Sequence, residues 1–312
     1  MEAANQMQDV TAISPPLSRT IANNPRGRSV VSCVVCHRGG EHQFTRHGVS
    51  IVDCKHCGHR YADYVATDDH VGDVYDHGYF YGGGAGYSDY TQEHGLLIDR
   101  GRRYGETLKR YCSAGKLLDV GAAAGFILRG FCDADWTGAG VEPNPEMAEY
   151  GRSQLGLTIH ESTFEQFETD EQFDLISLIQ VLAHFVDPQA AVHQASRLCR
   201  TGGHCLIETW NRSSWTARLL GRSWHEYSPP TVLHFFDRKT TDRLMAQAGF
   251  RRVAQGRPPK WISIGHARSL IEYKLTSPWL RAVATAPMRL LPAALSVPYP
   301  AEDLFWALYQ KV

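Results

Sequence analysis

Leu117-Leu118-Asp119-Val120-Gly121-Ala122-Ala123-Ala124-Gly125-Phe126-Ile127-Leu128 is an apolar run that ends on an acid, breaks at two glycines four apart, and resumes as an apolar, Ala-rich pattern. It reads as a buried strand, a tight glycine turn and a helix start, the first βα unit of a doubly wound sheet. Gly121 permits backbone angles closed to other residues, and Gly125 lets helix and ligand come close. Ligands of open α/β sheets sit at the carboxyl ends of the strands, so this turn predicts the floor of a cofactor site.

The next question is which cofactor. A dinucleotide fingerprint needs G-x-G-x-x-G. From Gly121 the chain offers G-A-A-A-G-F, with Ala123 and Phe126 at the second and third glycine positions. The second glycine makes room for a pyrophosphate, so Ala123 argues against NAD. Twenty-one residues beyond Gly121, Val141-Glu142-Pro143 closes a second strand with an acid suited to ribose hydroxyls. This turn plus a later acid resembles the class I S-adenosylmethionine (SAM) methyltransferases.

With 312 residues, the chain can hold one large domain and a small one. Its composition is that of an ordinary globular protein, and a net charge of −1 gives no global field for nucleic acid. There is no run of 18 apolar residues: the best stretch, Ala282 to Val297, is cut by Pro287, Arg289 and Pro292. No secretory signal is read at the N-terminus, and the expected address is the cytoplasm.

Residues 1–30 read as a disordered tail. Residues 31–65 carry Cys33-Val-Val-Cys36, a gap of seventeen, then Cys54-Lys-His-Cys57, a spacing that suits a zinc ribbon. Four thiolates complete a tetrahedral Zn2+ and leave no open position, so a structural site is expected. Gly39, Gly40 and Gly58 are the turn formers beside it. Cys112, Cys132, Cys199 and Cys205 are scattered and read as buried small hydrophobes. Residues 66–111 combine a Gly/Tyr-rich stretch, read as a lid with Tyr81, Tyr87 and Tyr90 as contacts, with a helix from Gln92 to about Tyr111.

Residues 112–312 form the remaining domain, with substrate-capping regions near 211–235 and 262–300. Asn144-Pro145 and Asp187-Pro188 open helices, the second running to Arg200 and stopping at Gly202-Gly203. Phe173 to Ile179 is a buried parallel strand leading to Gln180-Val-Leu-Ala-His184-Phe, beside Gly121 if the strands are neighbours. His204 to Glu208 is a fifth strand, Ile262 to Val297 a helical stretch broken by prolines, and Asp303 to Val312 a last, antiparallel strand.

Val181-Leu-Ala-His-Phe-Val-Asp-Pro188, the Gly-Gly turn and Trp224-His225-Glu-Tyr-Ser-Pro-Pro-Thr-Val-Leu-His234-Phe-Phe236 resemble a bacterial methyltransferase subgroup that often carries an N-terminal four-cysteine ribbon. Its members act on sugars, glycans or secondary metabolites. The resemblance implies an α/β, seven-stranded sheet with SAM over Gly121, Ala122, Ala123, Gly125 and Phe126. It also implies Asp119, Glu142 and Pro143 at the cofactor, and Phe164 and Gln180 near adenine and the sulfonium. Two positions depart: Ala123 stands where the family usually has Gly, and Ala183 where an acid often precedes the His.

A hydroxyl acceptor calls for a base, and histidine suits neutral pH. His184, His225 and His234 lie on segments expected to face the cleft, ranked in that order, with Trp224 and Tyr227 as an apolar wall. Two rivals stand beside this small-molecule reading. In one, the ribbon grips RNA through Arg26, Arg28, Arg38, Arg46, Lys55 and Arg60, against the acids Asp63 to Asp76. In the other, the domain binds SAM without catalysis.

Overall fold

The structure, a computed structural model, describes residues 28–67, 70–74, 93–265, 267–268, 277–292, 295–299 and 301–312. The lid tyrosines Tyr81, Tyr87 and Tyr90, and nearly all of the expected tail, lie outside the described residues.

Strands β1 (Arg28–Ser32), β2 (Gly39–Arg46), β3 (Val49–Cys54) and β4 (Arg60–Asp63) form an antiparallel sheet in sequence order. Both Cys-x-x-Cys turns end on a left-handed residue, His37 at φ 58° and Gly58 at φ 76°. Cys33 O accepts from His37 N, and Cys54 O from Gly58 N, so the two knuckles share one shape. Gly39 and Gly40 do not make the turn: they open β2, where a Cβ at Gly40 would lie 2.7 Å from the Tyr61 hydroxyl.

The main sheet begins with β5 (Lys116–Val120), β6 (Thr137–Glu142) and β7 (Thr158–Glu161), which step outward in one direction. The chain then crosses to β8 (Phe173–Ile179) and β9 (Cys199–Trp210) on the other side of β5, all in parallel. The strand order therefore reverses between β5 and β8, and the carboxyl ends at such a switch point are where open α/β sheets bind their ligands. The short β10 (His234–Phe235) leaves this domain and pairs antiparallel with β4, making a fifth strand of the N-terminal sheet. β11 (Phe250–Gly256) closes one edge of the main sheet. β12 (Lys260–Ser263) pairs with β13 (Ser296–Tyr299), so the expected helical stretch from Ile262 to Val297 is corrected at both ends. β-forming Trp261, Ile262, Val297 and Tyr299 favour a ladder there. β14 (Leu304–Lys311), antiparallel as expected, completes the order β11-β14-β9-β8-β5-β6-β7.

Helix α1 (His94–Leu108) and α2 (Phe126–Cys132) cover one face, through Tyr104, Leu108, Leu128 and Phe131 against Leu117, Leu175 and Ile179. α3 (Pro145–Leu155) follows β6, with Asn144 accepting from Met147 N as its cap. α4 (Pro188–Leu198), capped by Asp187, and α6 (Arg238–Gln247) cover the other face, with the short α5 (Trp215–Leu220) between them in sequence. Strand β8 is apolar on both faces because it lies between these layers: Ile176 and Leu178 face one, Leu175 and Ile179 the other. α4 ends at Leu198, not at the glycine pair, and Gly202 and Gly203 lie within the irregular start of β9.

Candidate active site

The turn after β5 holds three left-handed residues, Gly121 at φ 68°, Ala123 at 47° and Gly125 at 79°. Gly121 lies against the segment after β8, as expected for neighbouring strands: a Cβ on it would come within 2.4 Å of Val181 Cγ1. The room left by Gly125 is taken by Leu157, whose Cδ1 would stand 2.6 Å from an added Cβ. The room left by Gly125 is thus filled by side-chain packing from Leu157 and Ile159. Asp119 is 3% exposed and accepts a hydrogen bond from Ser177 Oγ at 2.6 Å. Burial lifts its pKa to about 7.

Glu142 ends β6 beside this turn. One carboxylate oxygen accepts from Ala123 N at 2.8 Å, the other from Asn144 N at 2.9 Å. Each oxygen keeps a second lone pair, which is what two adjacent ribose hydroxyls require. Burial lifts Glu142 to about 7, against the two backbone donors that pull it down. The site thus fits a ligand carrying a vicinal diol.

Ala122 and Ala123 are buried in the turn, and Pro143 is half-buried beside Glu142. Phe126 is packed into the core with Leu97 and Met147, its ring edge-on to Tyr150. Phe164 is 3% exposed and lies 6.2 Å from Phe185. Both rings are core side chains here, and neither presents an open face. Gln180, at φ 60°, is held at both ends: its N donates to Glu208 O at 2.8 Å, and its Nε2 to Glu208 Oε1 at 2.9 Å. Glu208 also accepts from Arg100 Nη2 and from the Tyr104 hydroxyl. Ser177, Arg100, Tyr104 and Glu208 were not singled out from sequence. The available signal was polar residues within apolar runs, Ser177 in β8 and Glu208 in β9.

The three histidines separate. His184 is partly buried, and its Nδ1–H donates to Thr231 O at 2.8 Å. Burial holds its pKa below the usual value. His234 does not face the cleft: it is 4% exposed, its Nδ1 3.3 Å from His59 Nε2 in the seam with the N-terminal sheet. Burial pushes it down to about 4, and the cause is its place in β10. His225 is partly exposed, 4.5 Å from the Trp210 ring at the carboxyl end of β9 and 5.8 Å from that of Trp224. Its Nε2 lies 3.8 Å from Glu226 Oε1. Trp224 and Tyr227 are themselves buried.

The sulfurs of Cys33, Cys36, Cys54 and Cys57 lie within 4.8 Å of one another. A tetrahedral thiolate site with Zn–S bonds of about 2.3 Å places its sulfurs ~3.8 Å apart, so this set suits such an ion. The sheet that carries it is tied to the domain. Arg60 bonds Asp53 through both carboxylate oxygens and donates to the Tyr227 hydroxyl at 2.7 Å. Arg46 Nε donates to Tyr227 O, Ala62 N to Leu233 O, and Gln247 Nε2 to Val35 O.

Residues 92–255 match the family model described as "Methyltransferase domain". The chain belongs to the methyltransferase-domain family. Among curated proteins, the ubiquinone biosynthesis O-methyltransferase of Alkalilimnicola ehrlichii is 28% identical over 115 residues, 34% of this chain and 47% of that one. Its counterpart in Klebsiella pneumoniae is 26% identical over 128 residues, 38% of this chain and 53% of that one. The chain thus spans about half the length of the curated relatives it matches. Among solved structures, the methyltransferase bound to the Haloferax volcanii Trm112 activator aligns with TM-score 0.51 at 15% identity, over 70% of this chain and 92% of that one. That likeness concerns the fold. The seven-stranded sheet with its antiparallel β14 is the methyltransferase sheet.

Proposed function

We propose that this methyltransferase-family chain transfers a methyl group from SAM to a hydroxyl of a small molecule, such as a sugar, glycan or secondary metabolite. The observation that carries the reading is Glu142: a buried carboxylate with a spare lone pair on each oxygen, beside the glycine turn at the switch point of the sheet. Glu142 would take the ribose hydroxyls, and the Gly121–Gly125 turn would floor the nucleoside. The sulfonium of SAM supplies an already activated methyl group. The chain's own task is alignment, excluding water, and moving one proton.

For that proton the geometry favours His225 over His184. The His184 ring is pinned by Thr231, whereas His225 is partly open at the end of β9 with Glu226 beside it. Glu226 would thus fill the part of the acid absent at Ala183. O-transfer is supported by the names of the curated relatives. The small-molecule reading is favoured over RNA because Arg46, Lys55 and Arg60, half of the basic cluster, are engaged by Tyr227, Glu41 and Asp53. Zn2+ in the four-cysteine site would be structural.

The test is calorimetry of the zinc-loaded protein with SAM, S-adenosylhomocysteine (SAH) and NADH, followed by an acceptor screen that begins with sugars and catechols. Micromolar binding of the SAM pair with none of NADH is expected; NADH binding without SAM overturns the reading. Once an acceptor is found, His225→Ala should lower kcat about 100-fold or more, the usual range for a lost general base. His184→Ala and His234→Ala should act on stability first.

A further inference from the structure

We propose that Glu208 is a positioning residue that fixes the amide of Gln180 with its carbonyl oxygen toward the cleft, so that the site favours a ligand group bearing N–H or O–H beside the transferred methyl. The proposal rests on the SAM reading above and deepens it. Glu208 is fully buried at the end of β9, and no part of the base chemistry uses it. Its carboxylate accepts three hydrogen bonds, from Arg100 Nη2, the Tyr104 hydroxyl and Gln180 Nε2. A buried carboxylate opposite a guanidinium stays ionised, and an ionised carboxylate only accepts. Gln180 must therefore turn its NH2 toward Glu208, which leaves Oε1 on the other arm of the amide, away from that carboxylate.

The backbone enforces the same choice. Gln180 sits in the left-handed region, sparsely populated for a non-glycine residue, and is held there by its N–H to Glu208 O. Among the described residues Oε1 accepts no hydrogen bond. Val181, the next residue, packs on Gly121, so Gln180 stands at the switch point, one residue from the contact with the cofactor turn. A ligand donor there gains a bond, whereas a ligand acceptor meets a second acceptor. The chemistry fits an acceptor molecule with neighbouring hydroxyls, a vicinal diol or a catechol. One hydroxyl would donate to Gln180 while the other is attacked and faces His225.

Two cofactor analogues test this without knowing the acceptor. SAH has nothing in place of the methyl; sinefungin carries an amine there. Calorimetry of both on wild type, Glu208→Asp, Glu208→Gln and Gln180→Leu gives the ratio of their affinities, which a loss of general stability does not move. The ratio should fall about tenfold or more in every variant, as expected for losing a hydrogen bond to a charged donor. Thermal melts check folding. Should Glu208→Gln fail to fold, Glu208→Asp carries the test, because it keeps the charge opposite Arg100 while shortening the reach to Gln180. An unchanged ratio, including equal loss of both ligands, overturns the proposal and leaves the cofactor reading intact. No SAH binding by wild type overturns the cofactor reading itself.

Discussion

Glu142 holds the turn after β5 through Ala123 N and Asn144 N, and in the proposed reading the same carboxylate takes the ribose. Burial raises its pKa from an ordinary 4.5 to about 7, so near neutral pH the free protein holds it part-protonated. Ribose hydroxyls donate best to the ionised form, so SAH bound as proposed should pull the proton off. Affinity should therefore rise with pH up to about 7 and level off above it. Calorimetry at pH 6 and pH 8 should show roughly tenfold tighter binding at the higher value, one unit of pH per lost proton. The sign for stability is opposite. A carboxyl raised in the fold favours the unliganded protein at acid pH, and that contribution is lost as pH rises from about 4.5 through 7. Glu142→Gln should flatten the binding profile and weaken SAH about 10-fold to 100-fold, the scale of hydrogen bonds to a charged acceptor. Unaltered binding in that variant would remove Glu142 from the site.

At the scale of elements, the crossing of α1 and α2 fixes where Arg100 reaches the sheet. A Cβ at Gly101 would lie 2.1 Å from Ile127 O, and one at Gly130 2.0 Å from Ile98 O, so backbone meets backbone. Gly101→Ala cannot be absorbed by a side-chain shift and should cost about 1–3 kcal/mol, as overpacked cores do. Because Arg100 precedes it and pairs with Glu208, the variant should also lower sinefungin affinity more than SAH affinity. A denaturant midpoint equal to wild type would show that the helices part without cost. Caps and turns at this scale were legible: Asn144-Pro145 and Asp187-Pro188 start helices because side chain and ring act locally. The end of α4 was not, since β9 starts at Cys199 by pairing with Phe173.

At the scale of the molecule, the four-cysteine sheet and the methyltransferase sheet are joined through β10. Phe44, Ile51 and Ala62 belong to the main core, and Tyr227 is held by Arg46 and Arg60 from the N-terminal side. If the four cysteines hold Zn2+ as proposed, stripping it with a chelator should therefore disturb residues 224–236 before the Gly121 turn. Hydrogen exchange should quicken there first, and the melting temperature should fall by several degrees, about 2–4 °C for each kcal/mol lost in a domain of this size. Exchange that changes only within residues 28–63 would show an independent ribbon.

The sequence by itself determined what depends on near neighbours. The strand–turn–helix at Asp119 to Leu128 follows from glycine's backbone freedom, the two knuckles from the Cys-x-x-Cys spacing, and the buried strand β8 from an unbroken apolar run. The place of Glu142 was legible because an acid ends the second strand of the sheet, beside the glycine turn. Tertiary structure alone decided which polar groups meet. Arg100 and Glu208 are 108 residues apart and His59 and His234 are 175 apart, and neither pairing leaves a periodic trace. It also set the surroundings of the three histidines. His184 and His234 lie in apolar runs and His225 between Trp224 and Glu226, but burial, a carbonyl at 2.8 Å or an aromatic seat comes from segments folded against each. Propensity and spacing act over a few residues, whereas desolvation and hydrogen bonding depend on whatever the whole chain brings within a few ångströms.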